Sequence, residues 1–142
     1  MLEVKVLTRR FGETVAVEDV SFTVAAGAMV GFVGANGAGK TTTVRMIMGV
    51  LAADAGEVAW GGDPVTPGLR SRFGYMPEQR GLYPKQPVLD QLTYLGRLHG
   101  MSQAAAAGRA RELLERFGLG ERTKAKVETL SLGNQQRARI IA

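Results

Sequence analysis

The run Gly34-Ala35-Asn36-Gly37-Ala38-Gly39-Lys40-Thr41 constrains this chain more than any other stretch of it. It fits the pattern G-x-x-x-x-G-K-[ST], and each residue type has a chemical reason to be there. Glycine reaches positive φ and lets the backbone approach a ligand with no Cβ in the way. Successive N–H groups then turn inward as an anion nest. A helix starting near Gly39 adds the positive end of its dipole. Lys40 brings a full charge to the outer phosphates of a nucleoside triphosphate, Thr41 offers a hydroxyl to Mg²⁺, and Thr42 reaches a further phosphate. Average residue usage makes such a match a chance event well under about one time in a hundred for a chain this long.

The flanks agree with this reading. Met29 to Val33 is a short apolar run that suits a buried strand of a parallel sheet. After Lys40 the period changes, and Val44, Ile47, Met48 and Leu51 fall on one helical face. Upstream, Leu2, Val4 and Val6 alternate with polar residues, as do Val20, Phe22 and Val24, with a turn at Phe11-Gly12 between the two strands. Glu57 to Trp60 and Phe73 to Met76 read as further strands, with Trp60 packed against its neighbours. From Val88 to Phe117 the pattern is helical. Gly100 divides the stretch, Ser102 caps the second helix and Gly118 stops it. Ser131 caps a last helix that is still running at Ala142. The resulting class is α/β.

Composition excludes several alternatives. With no cysteine among 142 residues there is no disulfide framework, thiolate metal site or cysteine nucleophile. The first ten residues are not a signal peptide, and no run approaches the ~18 apolar residues of a membrane span. The chain reads as a cytoplasmic one. Its net charge of +5 is spread out, and acids interleave the mild basic cluster between Arg109 and Lys126, so it reads as a solvated surface without a nucleic-acid partner.

Leu130-Ser131-Leu132-Gly133-Asn134-Gln135-Gln136-Arg137 resembles the signature of the ATP-binding cassette (ABC) ATPases, usually L-S-G-G-Q-[QR]. With the glycine loop upstream and a helical segment between, the likeness covers essentially the whole chain. It implies a P-loop NTPase core with an antiparallel β subdomain and a helical insert. In this division 1–84 hold the β subdomain and loop core, 85–130 the insert, and 131–142 the start of the signature helix. The ligands implied are ATP and Mg²⁺. The partners implied are a second ATPase subunit, arranged head to tail, and a membrane permease that holds the protein on the inner face of the cell membrane.

In the family the helix end at Ser131 points at the γ-phosphate on a partner's P-loop. Gly133 leaves room for that phosphate, and Gln135 lies near ribose or phosphate. Phe11 stands where the family places an aromatic against adenine, the alternative being a core residue of the hairpin, and Val17 lines the same pocket. Two departures stand out. Leu132 and Asn134 replace the usual signature residues, and the position after Tyr75-Met76-Pro77 holds Glu78, with Gln79 one place later. Glu78 then becomes the candidate for Mg²⁺ or the attacking water. Both variants resemble the ATP subunits of ABC-2-type exporters.

The family's next elements are a strand ending in Asp-Glu and a switch histidine. They lie beyond Ala142, and His99 is not that histidine. By this resemblance the 142 residues alone bind ATP weakly or not at all, while the intact protein hydrolyses ATP to drive export. A soluble ABC ATPase of translation or DNA maintenance, and a non-hydrolysing fragment, stay open as alternatives. A GTPase is disfavoured, because no Asn-Lys-x-Asp guanine motif occurs.

Overall fold

The computed structural model describes residues 1–77 and 81–142, which divide into two compact units, Met1–Tyr75 and Met76–Ala142. In the first unit, β1 (Leu2–Phe11) and β2 (Thr14–Val24) form an antiparallel hairpin, β3 (Ala55–Trp60) pairs with the other side of β1, and β4 (Asp63–Pro64) closes the order β2-β1-β3-β4. Pro64, which has no N–H to give to a ladder, lies in the edge strand. The hairpin turns at Gly12, whose φ of +58 suits the first central position of a primed turn.

Simple alternation fails in the middle of β1. Lys5 pairs with Glu57 and Thr8 with Ala55, so Val6 and Leu7 together oppose the single residue Gly56. This bulge puts Val6 at φ +51 and turns it outward, half exposed, while Leu7 takes the inward place at 1% exposure. Ser21 stabilises the distortion, its Oγ accepting the Val6 N–H at 2.8 Å. A second irregularity at Asp19 (φ +50) is held by Thr8, whose Oγ1 accepts the Asp19 N–H and donates to its carboxylate. The inward face of the sheet packs Val4, Leu7, Val17 and Val58 against Met46 and Ile47 of α1 (Lys40–Ile47). Thr43, not Val44, completes the buried face of that helix. The helix stops at Met48, and Gly49 follows at φ +71. There Arg70, at the end of the short α2 (Pro67–Arg70), lays its guanidinium over Gly49 and donates from Nε to the Ile47 carbonyl.

Two expected strands do not form. Residues 29–33 lie outside any strand, with Met29 fully exposed and Val33 at 90%. Phe73 to Met76 is likewise irregular. Both runs are apolar enough for a parallel sheet, but a strand exists only through a ladder, and no neighbouring strand among the described residues pairs with either. Their aromatic rings pack locally instead, Phe32 on Phe22 and Phe73 on Trp60, both with centroids 5.4 Å apart. Trp60 is thus a packing residue on one side only and stays 44% exposed.

Asp54 ties the start of β3 to β1. Its N–H donates to the Thr8 carbonyl, Oδ2 accepts the Arg10 N–H at 2.7 Å, and Oδ1 pairs with Arg9 Nη1 at 2.6 Å. The Arg10 N–H above all, with the Arg9 cation, holds the carboxyl below its ordinary value of 3.8. A depressed carboxylate stabilises the fold fully above the unfolded value and loses that contribution as pH falls through the folded one. Stability is therefore expected to fall as pH drops below 3.8. Asp54→Asn should flatten that acid limb in thermal melts while leaving its slope at higher pH unchanged.

The second unit is helical. The helices α3 (Val88–Leu98) and α4 (Gln103–Arg116) pack together, followed by two 3-10 turns, Gly120–Arg122 and Val127–Thr129, and by α5 (Leu132–Ile141). Small residues let the helix pair close up. A Cβ on Gly96 would lie 3.0 Å from the Ala106 Cβ, and Ala106 and Ala110 are buried. The alanine run of α4 therefore serves packing as well as propensity. Ser102 Oγ accepts the Ala105 N–H at the helix start, as the sequence predicts. Gly100 (φ +86) and Gly118 (φ +72) follow the two C-termini, and His99 is the C-cap of α3. Val88, Leu92, Leu114, Leu119, Val127 and Leu130 form the core.

Gln91 is buried beside this core and directs three hydrogen bonds at one loop. Oε1 accepts the Tyr83 N–H at 2.6 Å, and Nε2 donates to the Tyr83 and Gln86 carbonyls at 2.9 and 3.1 Å. Gln91→Leu leaves the Tyr83 N–H without its partner, while the Tyr83 and Gln86 carbonyls keep the Gln86 and Val127 N–H groups, and a loss of about 1–3 kcal/mol is expected in denaturant melts.

Candidate functional site

The glycine loop joins the irregular apolar run to α1. Gly37 and Gly39 stand at φ +84 and +77, conformations that favour glycine, and the Ala38 N–H donates to the Ala35 carbonyl to close the turn. Gly39 is also the N-cap of α1, and no side chain caps the helix there. The first N–H groups of the helix are therefore available to an anion. Gly39 has a second constraint that the sequence did not reveal. A Cβ there would collide with the Ala16 carbonyl oxygen and approach Val17 Cγ2 at 2.8 Å. The loop's last glycine is thus pressed against β2. Val17 is buried in the sheet–helix core and meets the loop from beneath.

Lys40 curls back over the loop, with Nζ donating to the Gly34 and Ala35 carbonyls at 2.6 and 2.7 Å. Thr41 is exposed at the first turn of the helix and Thr42 half-buried, while Asn36 and the rest of 34–38 face solvent. A cradle of glycine N–H groups, one cation folded over it and an exposed hydroxyl on the next residue fit a triphosphate with its Mg²⁺. Glu78, read as a second metal ligand, lies outside the described residues.

Phe11 ends β1, two residues from Arg9 on the same strand. It is 49% exposed, so it is not a core residue of the hairpin. The Arg9 guanidinium carbon lies 4.9 Å from the centre of its ring. Sequence reasoning missed Arg9 and its anchor Asp54. The one available signal was a cation two residues before the aromatic.

In the helical unit Ser131 caps α5, its Oγ accepting the Asn134 N–H at 3.4 Å. Gln135 is tied back by Nε2 to the Leu130 carbonyl at 2.9 Å. Leu132 is 79% exposed, and a Cβ on Gly133 would meet open space. The helix N-terminus thus presents small or exposed residues and free N–H groups to whatever approaches it.

A glycine nest feeding one helix and a serine-capped second helix, on an antiparallel sheet and a helical unit, define an ATP-binding cassette ATPase. The comparisons with known proteins agree: the profile of the ABC transporter family matches residues 17–142, and the chain belongs to that family, whose members bind ATP. Over 142 residues, all of this chain and 48% of the relative, it is 45% identical to the uncharacterized ABC transporter ATP-binding protein YhaQ of Bacillus subtilis (strain 168). It is 35% identical to the linearmycin resistance ATP-binding protein LnrL of the same organism, over 99% of this chain and 46% of the relative. Against Nod factor export ATP-binding protein I of Burkholderia lata the identity is 41%, over 91% and 43% of the two chains. A solved ATP-binding subunit of an ABC transporter superposes with a TM-score of 0.79 at 33% identity, covering 99% of this chain and 60% of that one. The chain spans about half the length of the curated relatives it matches. No helix among the described residues is long and apolar enough to cross a membrane.

Proposed function

We propose that this chain is the nucleotide-binding portion of an ATPase subunit that powers export across a membrane. The observation that carries the reading is one chain holding both a glycine nest at the start of α1, where no side chain caps the helix, and a serine-capped, exposed helix start at α5. In this reading the N–H groups of 34–42 hold the phosphates and Lys40 neutralises the outer ones. Thr41 and Glu78 would hold Mg²⁺, which would supply positive charge against the outer phosphates. Phe11 stacks on the base. Ser131, Leu132, Gly133, Asn134 and Gln135 face the triphosphate held by a second copy, so two nucleotides lie between two head-to-tail subunits. A permease carries the cargo, and the subunit sits against it on the cytoplasmic face. The names of two relatives, a resistance protein and an export protein, support the outward direction.

Gly133→Arg tests the shared site. The glycine is exposed on the first turn of α5 with nothing near its Cβ direction, so the fold should tolerate the change. In the protein as its gene encodes it, monomers should still bind ATP. Dimerisation driven by ATP, followed by sedimentation, should disappear, and hydrolysis should fall by more than about tenfold through loss of the second subunit's N–H groups. Dimerisation and hydrolysis equal to wild type would remove the signature helix from the site.

A further inference from the structure

We propose that Arg9, fixed by Asp54, is a positioning residue for the nucleotide base, bracing the back of the Phe11 ring so that a purine stacks on its open face. This rests on the nucleotide reading given above and names a residue it does not contain. Four observations carry it. Arg9 and Phe11 are two apart in β1, hence on the same side of the strand at the end of the hairpin. The guanidinium lies over the ring at 4.9 Å from its centre, while the phenyl group remains half exposed, so one face is covered and the ring is still accessible.

The guanidinium is not free to swing. Nη1 is held by Asp54 Oδ1 at 2.6 Å, and Asp54 is itself anchored through its N–H to Thr8 and through Oδ2 to the Arg10 N–H. Finally, Arg9 Nε is buried with no hydrogen-bond partner among the described residues, so the ring face and Asp54 are the contacts that place this cation. The same hairpin reaches the loop, since Gly39 is pressed against Ala16 and Val17, and Val17 is the cross-strand partner of Arg9.

The chemistry follows from the geometry. A phenyl ring at the tip of a hairpin has two faces and a free χ2, and a base that stacks on it must pay for ordering it. With a cation locked on one face, the ring is ordered beforehand and a single face is offered. The cation also draws π density toward itself, which lowers repulsion between ring and base on the far side.

The test compares two probes, Mg-ATP and inorganic tripolyphosphate, by calorimetric titration of the protein as its gene encodes it. Arg9→Ala and Asp54→Asn should weaken ATP binding roughly 3- to 10-fold and leave tripolyphosphate binding unchanged. Arg9→Lys should recover part of the loss. In a Phe11→Ala background, Arg9→Ala should add nothing further. Arg9→Gln, which keeps most of the length and a bond to Asp54, is titrated in parallel, so the outcome does not hang on the alanine variant folding. Equal loss for both probes, tighter ATP binding on removing Arg9, or a full additional loss in the Phe11→Ala background would each overturn the proposal. Failure of the unaltered protein to bind either probe is a different pattern, and it overturns the nucleotide reading together with this one.

Discussion

Lys40→Ala is expected to lower ATP affinity and hydrolysis by on the order of 10²–10³-fold or more without unfolding the protein. Lys40 is half-buried at the head of α1, and its ammonium is engaged with two loop carbonyls, Gly34 and Ala35. Those carbonyls face solvent, so their loss is made good by water and the melting temperature should move little. The triphosphate, by contrast, loses the single cation that the loop brings to it. In the proposed site Lys40 would exchange the two carbonyls for phosphate oxygens, and no neighbouring cation of 34–42 could replace it. Lys40→Arg separates charge from shape. It keeps the positive charge but replaces a compact ammonium by a planar fork, so it should recover only part of the affinity. The measurement is a pair of ATP titrations with matched thermal melts. Equal affinity in the wild type and Lys40→Ala would show that the phosphates sit elsewhere.

Gly56→Ala should cost about 3 kcal/mol or more and lower the melting temperature of the β unit by roughly 12 °C or more. Gly56 stands at φ +88 opposite the β1 bulge. A Cβ there would collide with the carbonyl groups of Val6 and Lys5. These are backbone atoms of the central strand, so relief requires opening the β1–β3 ladder. The strain of Val6, the inward turn of Leu7 and the position of Arg9 further along the strand all depend on that ladder. Gly61→Ala is the matched control. It also has positive φ, at +64, but nothing lies near its Cβ direction, so it should cost only about 1–2 kcal/mol. Calorimetric melts of the two variants should therefore differ clearly. Similar melts would mean that the bulge is not built around Gly56.

Much of the site was legible because its residues act through local backbone chemistry. The glycine loop, the caps at Ser102 and Ser131 and the stops at Gly100 and Gly118 are each written in a few consecutive residues, and each stands where the sequence places it. What depends on long-range pairing was less legible. Periodicity places Val6 on the buried face of β1, but the extra residue of the bulge shows only in the pairing with Gly56 and exchanges Val6 for Leu7. Likewise, apolar character alone suggests strands at 29–33 and 73–76, yet a strand needs a neighbour, and none pairs with them among the described residues. Arg9 and Asp54 are separated by most of the first unit, and only the β1–β3 pairing brings them together. Gly39 was legible as the last glycine of the loop, at the start of α1. Its close approach to Ala16 was not, because that contact depends on how α1 lies on the sheet.

The central claim is that residues 34–42 cradle a nucleoside triphosphate. It is tested most directly by titrating Mg-ATP into ¹⁵N-labelled protein, as its gene encodes it, and following the backbone amides. The account predicts saturable shifts at the amides of Gly37, Gly39, Lys40 and Thr41, together with Phe11, and the loop shifts alone when tripolyphosphate replaces ATP. Saturable binding that leaves those loop amides unmoved, or no binding at all, would contradict it.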